Sequence, residues 1–401
     1  MMRASPEELV STAAVMQDLA DLRVDQVGSL CAPARLQQVF DGYKRGQTSK
    51  QQLDRAKDDA IRHVIQKQES IGLPVVTDGE LRRRNFQESF GESVAGFEVA
   101  AEDRAMEGVS LQPLTRAEQN FSAPGPAIVT RRRVVERLRL VRNVPLEEYR
   151  FSSRLASNPV KVTVLSPDRI SQRFDWQHST AVYPDMEAFL ADVVEISRQI
   201  IRELVQAGCR YIQIDAPGYT AYVDKVSLER MRARGEDPDR SMERSIEADN
   251  AIIAGFDEVT FGIHLCRGNP RTIDPATGKV MPQWHREGHY DSIAERLFSR
   301  LKHHRLLLEY DDERSGSFAP LRFVPKGKIA VLGLVTTKRS DLEPLELLRR
   351  RIDEATGYLP LEQLALSPQC GFGGLDHIVI PEDDQWRKFE RILEAGRQVW
   401  G

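Results

Sequence analysis

Eight short aliphatic or β-branched runs recur along this chain, most of them followed by a helix-like amphipathic segment, and this alternation constrains the fold more than any other feature. The runs are Val24 to Leu30, Pro74 to Asp78, Lys161 to Leu165, Tyr211 to Ala216, Val259 to Cys266, Arg305 to Tyr310, Lys328 to Val335 and Leu364 to Cys370. Between them lie patterns such as Met186 to Gly208, with apolar residues three and four apart and a glycine at the end. Ser245 to Phe256, Ser292 to His304 and Leu342 to Thr356 follow the same pattern. Buried strands alternating with helices predict an α/β fold, a TIM-type (β/α)8 barrel whose chemistry sits at the C-terminal ends of the strands. A doubly wound sheet is the alternative that fits the same alternation. Such barrels exceed average domain length, so 1–401 is expected to form a single domain. Two segments stand outside the pattern: 1–22, expected as an N-terminal helical arm, and 85–157, a long insertion between strands 2 and 3. An insertion of that length needs secondary structure of its own, capping the barrel or making a contact in a homo-oligomer.

Charge and cysteine usage narrow the partners. Lys+Arg number 56 against 60 Asp+Glu, a formal net charge of -4. That leaves no bulk field for a nucleic acid or an anionic membrane surface. Glu7, Glu8, Asp18 and Asp21 interrupt the N-terminus, so it has no secretory apolar core, and no segment is apolar for long enough to span a membrane. The expected location is cytoplasmic. Cys31, Cys209, Cys266 and Cys370 form no CxxC pair and are too few for a disulfide scaffold.

Two groups of side chains gather at the strand ends. Strand five ends in His264-Leu265-Cys266, strand six in Glu309 and strand eight in Cys370. Residues two apart on a strand share a side, so the imidazole and thiol of His-x-Cys can face one ion, with the Glu and second Cys arriving from the same rim. The donor set suits Zn2+. On strands one, two and four lie Val27-Gly28-Ser29, Asp78-Gly79-Glu80 and Gln213-Ile214-Asp215. Glu80 and Asp215 could hold an ammonium, and Ser29 with nearby N–H groups a carboxylate. The competing expectation is that Glu80 pairs with Arg82, Arg83 or Arg84, and that Asp215 caps a helix.

VGSL (27–30), DGE (78–80), QIDAP (213–217), HLC (264–266), Glu309 in LLLEYD and SPQCGFG (367–373) resemble, in order and across nearly the whole chain, the catalytic barrel of the cobalamin-independent methionine synthases. The resemblance implies a barrel holding one zinc through His264, Cys266, Glu309 and Cys370. It also implies homocysteine as the thiol partner, its amino-acid part bound by Ser29, Glu80 and Asp215. A thiol is only partly ionised at neutral pH, and zinc deprotonates it while keeping it nucleophilic. The candidate catalytic residues are Lys338 and Asp215.

Three departures concern the alkyl donor. The methylfolate-using synthases carry an additional N-terminal half, for which this chain is too short. Their His after strand seven, which supports the proton taken by the departing pterin, is replaced by GLVTTKRSDLE, with Thr337 and Lys338 near that place. Their Trp-containing segment after strand three reads LSPDRISQRFDW. A non-folate donor is therefore expected, and Lys338 either meets an anionic group on it or stands in water at the rim. Single-barrel relatives that open an epoxide with coenzyme M, a zinc-binding barrel without catalysis, and a decarboxylase of the uroporphyrinogen type are the other readings. The Ser/Glu/Asp trio favours an amino-acid thiol, and the zinc ligands disfavour the decarboxylase.

Overall fold

The computed structural model describes residues 19, 21–83, 88–98, 133–172, 179–233, 235–267, 271–273, 280–282, 286–375 and 380–401. Its strands are β1 (Val94–Phe97), β2 (Val134–Leu140), β3 (Lys161–Leu165), β4 (Tyr211–Asp215), β5 (Thr260–Leu265), β6 (Arg271–Ile273), β7 (Val280–Pro282), β8 (Arg305–Glu309), β9 (Ile329–Val335) and β10 (Leu364–Pro368). Six of them form a parallel sheet in the order β10-β9-β8-β5-β4-β3. Each is buried along its whole length, which is why these runs read as continuously apolar rather than alternating.

The first two expected strands are not regular strands. Each is reduced to a single parallel bridge, Val24 to Leu366 on the β10 edge and Val76 to Val160 on the β3 edge. The physical reason is that side chains take over the backbone pairing. Gln68 donates to Thr77 O (2.8 Å) and accepts from Thr77 N (2.9 Å), Gln26 donates to Val75 O (2.7 Å), and Gln213 donates to Val27 O (2.7 Å). Buried backbone groups are thereby satisfied without a ladder. The two bridged segments meet where Leu30 N donates to Gly79 O (3.1 Å) and Thr77 Oγ1 to Gly28 O (2.7 Å). The ring is closed, and the fold is an α/β barrel.

The helices follow their local signals. Met186–Gln206 begins where the Asp185 side chain accepts from Ala188 N (2.7 Å), and its apolar stripe, including Phe189, Val193, Ile196 and Leu204, is buried. The chain leaves it at Gly208, whose φ of 100° favours glycine. The helix expected at 245–256 runs instead over Pro238–Ile253, because Asp237 caps it and Pro238 opens it. Residues 292–304 and 342–356 yield the shorter helices Ala294–Arg300 and Leu345–Thr356. Within 85–157, helix Glu88–Ser93 leads into β1, which pairs antiparallel with β2, and helix Val144–Ser152 follows. Residues 99–132 and nearly all of the expected arm at 1–22 lie outside the described residues. No helix among the described residues is long and apolar enough to cross a membrane.

Inside the barrel, Val27, Leu307, Ile329, Val331 and Ala365 form an apolar layer. Beneath it, at the N-terminal ends of the strands, Asp25 pairs with Lys161 (2.9 Å) and Arg305 (3.0 Å), all three side chains fully buried, and Tyr211 donates to the same carboxylate. Just outside this layer is His303, buried, with neither ring nitrogen hydrogen-bonded among the described residues. Burial, and then the charge of Lys328, push its pKa down to about 3. A folded state that keeps this imidazole neutral loses stability as pH falls from the unfolded pKa of about 6.5 towards 3, because only the unfolded chain takes up the proton. His303→Leu is expected to flatten that part of the stability profile, measured as urea midpoints at pH 7 and pH 4.5. An unchanged difference between the two midpoints would show that His303 does not contribute.

Candidate functional site

The four expected donors come together at the C-terminal rim. His264 lies near the end of β5, beside Asp215 of β4 in register; Cys266 immediately follows β5, Glu309 ends β8, and Cys370 stands two residues past β10. One donor atom from each of His264, Cys266, Glu309 and Cys370 lies within 4.8 Å of all the others. The two sulfur atoms are 3.5 Å apart. Arg267 N donates to Glu309 Oε1 (2.9 Å), fixing the carboxylate, while Glu309 Oε2 and both His264 nitrogens have no hydrogen-bond partner among the described residues.

Those orphaned atoms test whether a metal fits. A buried polar atom without a partner is costly, and here those of His264 and Glu309 belong to a group whose donor atoms, the Cys266 and Cys370 sulfurs included, lie within 4.8 Å of one another. Burial, then Lys161, push the His264 imidazole down to about 3, so it is neutral and able to coordinate. The hydrogen bond shared with Cys266, burial and the neighbouring charges push the Cys370 thiol well up, and burial raises the Glu309 carboxyl. A divalent cation reverses both penalties at once. Zn–S bonds of about 2.3 Å in a tetrahedron put two sulfur atoms about 3.8 Å apart, close to the spacing present. The residues fit zinc.

The second group adjoins the first. Glu80 stands at φ 57°, an uncommon conformation for a side-chain-bearing residue, and its Oε1 accepts from Thr163 Oγ1 (2.7 Å). Gly28 makes room for it: at φ 144°, a Cβ there would sit 3.0 Å from Glu80 Oε1 and 2.8 Å from Thr163 Cγ2. Asp215 accepts from Gln213 Nε2 (2.7 Å). Burial, then repulsion from Glu80, raise Asp215 to about 7; burial also raises Glu80 against the pull of Arg83 and Thr163. Two buried carboxylates that repel each other favour an arriving cation. Ser29 lies against Gly371, where a Cβ would come within 1.9 Å of its Oγ, so it adjoins the residue following Cys370.

Of the competing expectations, one is met in part. Arg83 Nη1 stands 3.7 Å from Glu80 Oε1, but its closer pairing is with Glu148 (2.7 Å). Asp215 caps no helix, since the turn after β4 begins at Gly218 with no side-chain cap. Lys338 reaches Asp311 (2.9 Å) and Asp312 (2.6 Å), so its ammonium is engaged by two carboxylates and is three-quarters buried. These acids follow Glu309 after one intervening residue, Tyr310, and that run was the available signal. Sequence reasoning also passed over Arg267, whose backbone holds Glu309, and Arg83 with Glu148, which lie far apart in the chain.

The fold and this donor set define a barrel with two thiols, an imidazole and a carboxylate gathered at the C-terminal rim of its strands, a group that could hold a metal ion. The family model described as "Cobalamin-independent synthase, Catalytic domain" matches residues 23–135. The protein named Uncharacterized protein YxjH of Bacillus subtilis (strain 168) is 32% identical over 388 residues, covering 96% of each chain. The methionine synthase of Pyrococcus abyssi is 24% identical over 385 residues, 95% of this chain and 94% of its own. Among solved structures, the putative vitamin-B12 independent methionine synthase from Listeria monocytogenes superposes with a TM-score of 0.71 at 23% identity, covering 95% of this chain and 98% of that one. The chain belongs to the cobalamin-independent methionine synthase catalytic-domain family.

Proposed function

We propose that this protein transfers a methyl group from a non-folate donor to the sulfur of homocysteine, with one zinc held by His264, Cys266, Glu309 and Cys370. The observation that carries the reading is the placement of four convergent metal donors beside the Glu80–Asp215 carboxylate pair. When bound, zinc supplies the charge that ionises a thiol near neutral pH. The remaining work falls to the protein's own groups. Glu80 and Asp215 take the ammonium, whose charge relieves their mutual repulsion, and Ser29 with neighbouring N–H groups takes the carboxylate. With both ends of the amino acid fixed, its sulfur is directed to the rim where Cys266 and Cys370 lie, and orientation of this kind lowers the barrier to displacement. Lys338 keeps an ammonium near Glu309, its charge matched by the carboxylates of Asp311 and Asp312. No imidazole stands in that loop to serve a departing pterin.

The test is a donor screen with L-homocysteine and zinc-loaded protein, using methyltetrahydrofolate, methylcobalamin and methylated thiols, with methionine as the readout. Methylcobalamin or a methylated thiol is expected to support turnover, and methyltetrahydrofolate little or none. Glu80→Gln and Asp215→Asn are expected to weaken homocysteine binding by about a hundredfold, since each leaves a desolvated ammonium short of a charge partner. Efficient turnover with methyltetrahydrofolate would overturn the donor assignment, and undiminished homocysteine binding by both variants would overturn the assignment of the carboxylates.

A further inference from the structure

The carboxylate that meets the ammonium is itself held by a chain of buried contacts reaching into the 85–157 segment. Glu148, on helix Val144–Ser152, faces Arg83 with Nε–Oε distances of 3.1 and 3.1 Å and Nη2–Oε2 of 2.7 Å. Arg83 Nη1 donates to Thr163 Oγ1 (2.7 Å), and Nη2 donates to Thr163 O (2.9 Å). Thr163 Oγ1 then donates to Glu80 Oε1 (2.7 Å). Every member is buried: the side chains of Arg83, Glu148 and Glu80 are 3%, 4% and 7% exposed.

From this arrangement we infer that Glu148 and Arg83 are positioning residues that, through Thr163, set the selectivity of Glu80 for thiols bearing an amino group. The inference rests on the proposed role of Glu80. Two physical effects support it. Thr163 has one hydroxyl proton and gives it to Glu80 because Arg83 occupies the oxygen as a donor; this fixes the direction of the hydrogen bond and the rotamer of a carboxylate already set at φ 57°. Glu148, in turn, takes the bidentate side of the guanidinium, so that Arg83 lies 3.7 Å from Glu80 without pairing fully with it. Without Glu148, the uncompensated guanidinium would turn its charge on Glu80 and compete with the incoming ammonium. A surface ion pair could not do this, because water would screen it; a buried one keeps its direction and strength.

The experiment compares L-homocysteine with 4-mercaptobutyric acid, the same thiol acid without the amino group, by calorimetric titration of zinc-loaded protein. Glu148→Gln and Thr163→Val are each expected to weaken homocysteine binding by about tenfold while leaving 4-mercaptobutyric acid binding within about twofold, roughly 1.4 kcal/mol of lost selectivity. Thr163→Ser, which keeps the hydroxyl, is expected to restore the preference. A purely structural role would weaken both ligands alike or lower only the melting temperature, and this result would overturn the inference. Glu80→Gln, run alongside, separates the two levels. If it loses the preference while Glu148→Gln and Thr163→Val keep it, the positioning role is wrong and the ammonium assignment stands. If Glu80→Gln keeps the preference, the ammonium assignment falls and the inference with it. Should Glu148→Gln fail to fold, Thr163→Val alone decides, since it leaves the Arg83–Glu148 pair in place.

Discussion

Cys266→Ala and Cys370→Ala are each expected to abolish stoichiometric zinc binding, where the unaltered protein holds about one zinc per chain. The two sulfur atoms stand 3.5 Å apart, with His264 and Glu309 within 4.8 Å, so each substitution removes one of four donors. Loss of a partner merely orienting a ligand costs about 10–100-fold in affinity, and loss of the ligand itself exceeds that. Zinc content after dialysis against a weak chelator gives the answer directly. The buried environment adds a second consequence: with the metal gone, the His264 nitrogens and Glu309 Oε2 are left unsatisfied, so the zinc-loaded protein should melt at a higher temperature than the metal-free protein. Equal zinc retention by both variants would show that the ion, if held, is held elsewhere.

The second large effect lies at the opposite end of the barrel and concerns stability alone. Asp25→Asn leaves Lys161 and Arg305 buried, within 2.9 and 3.0 Å of a group that no longer carries charge. Breaking a buried ion pair from one side costs about 3–5 kcal/mol, a large part of the roughly 5–15 kcal/mol that holds a typical folded protein together. Burial alone would raise the Asp25 carboxyl, but Lys161, Arg305 and the Tyr211 hydroxyl hold it below its ordinary value. The stability it contributes is therefore present above about pH 4 and lost as pH falls through the lowered pKa. The expected result is insoluble expression or a fall of several degrees or more in melting temperature, with zinc content of any folded fraction unchanged. A loss below about 1 kcal/mol would mean that water reaches this layer.

The two ends of the barrel show what a sequence of this kind discloses. Strands β3 to β5 and β8 to β10 were legible because each is covered on both faces and reads as an unbroken apolar run. His264, Cys266, Glu309 and Cys370 were legible because strand ends in a barrel share one rim, so separate short motifs become neighbours. The first two runs looked like strands by the same rule and are single bridges, since composition does not show whether a backbone group is paired by another strand or by a glutamine such as Gln26, Gln68 or Gln213. Helix Lys50–Ile71 carried a readable start in the Ser49–Gln52 capping box, and it was passed over. The chain from Glu148 to Glu80 joins residues 68 positions apart and depends on register and rotamer, which no local pattern encodes. The pairing of Lys338 with Asp311 and Asp312 likewise spans two loops.

The claim at the centre of this account is that the rim ionises a thiol. It is tested most directly by counting protons released when zinc-loaded protein binds L-homocysteine at pH 7, from calorimetric titrations in buffers of different ionisation enthalpy. L-2-aminobutyric acid, which lacks the thiol, serves as reference, because an ammonium arriving at Asp215 also displaces protons from a carboxyl near pKa 7 and does so for both ligands. With a free thiol near pKa 8.5, the account predicts close to one additional proton released per homocysteine bound, and none in Cys370→Ala. Equal proton release by the two ligands would mean that homocysteine binds with its thiol protonated, and would contradict the account.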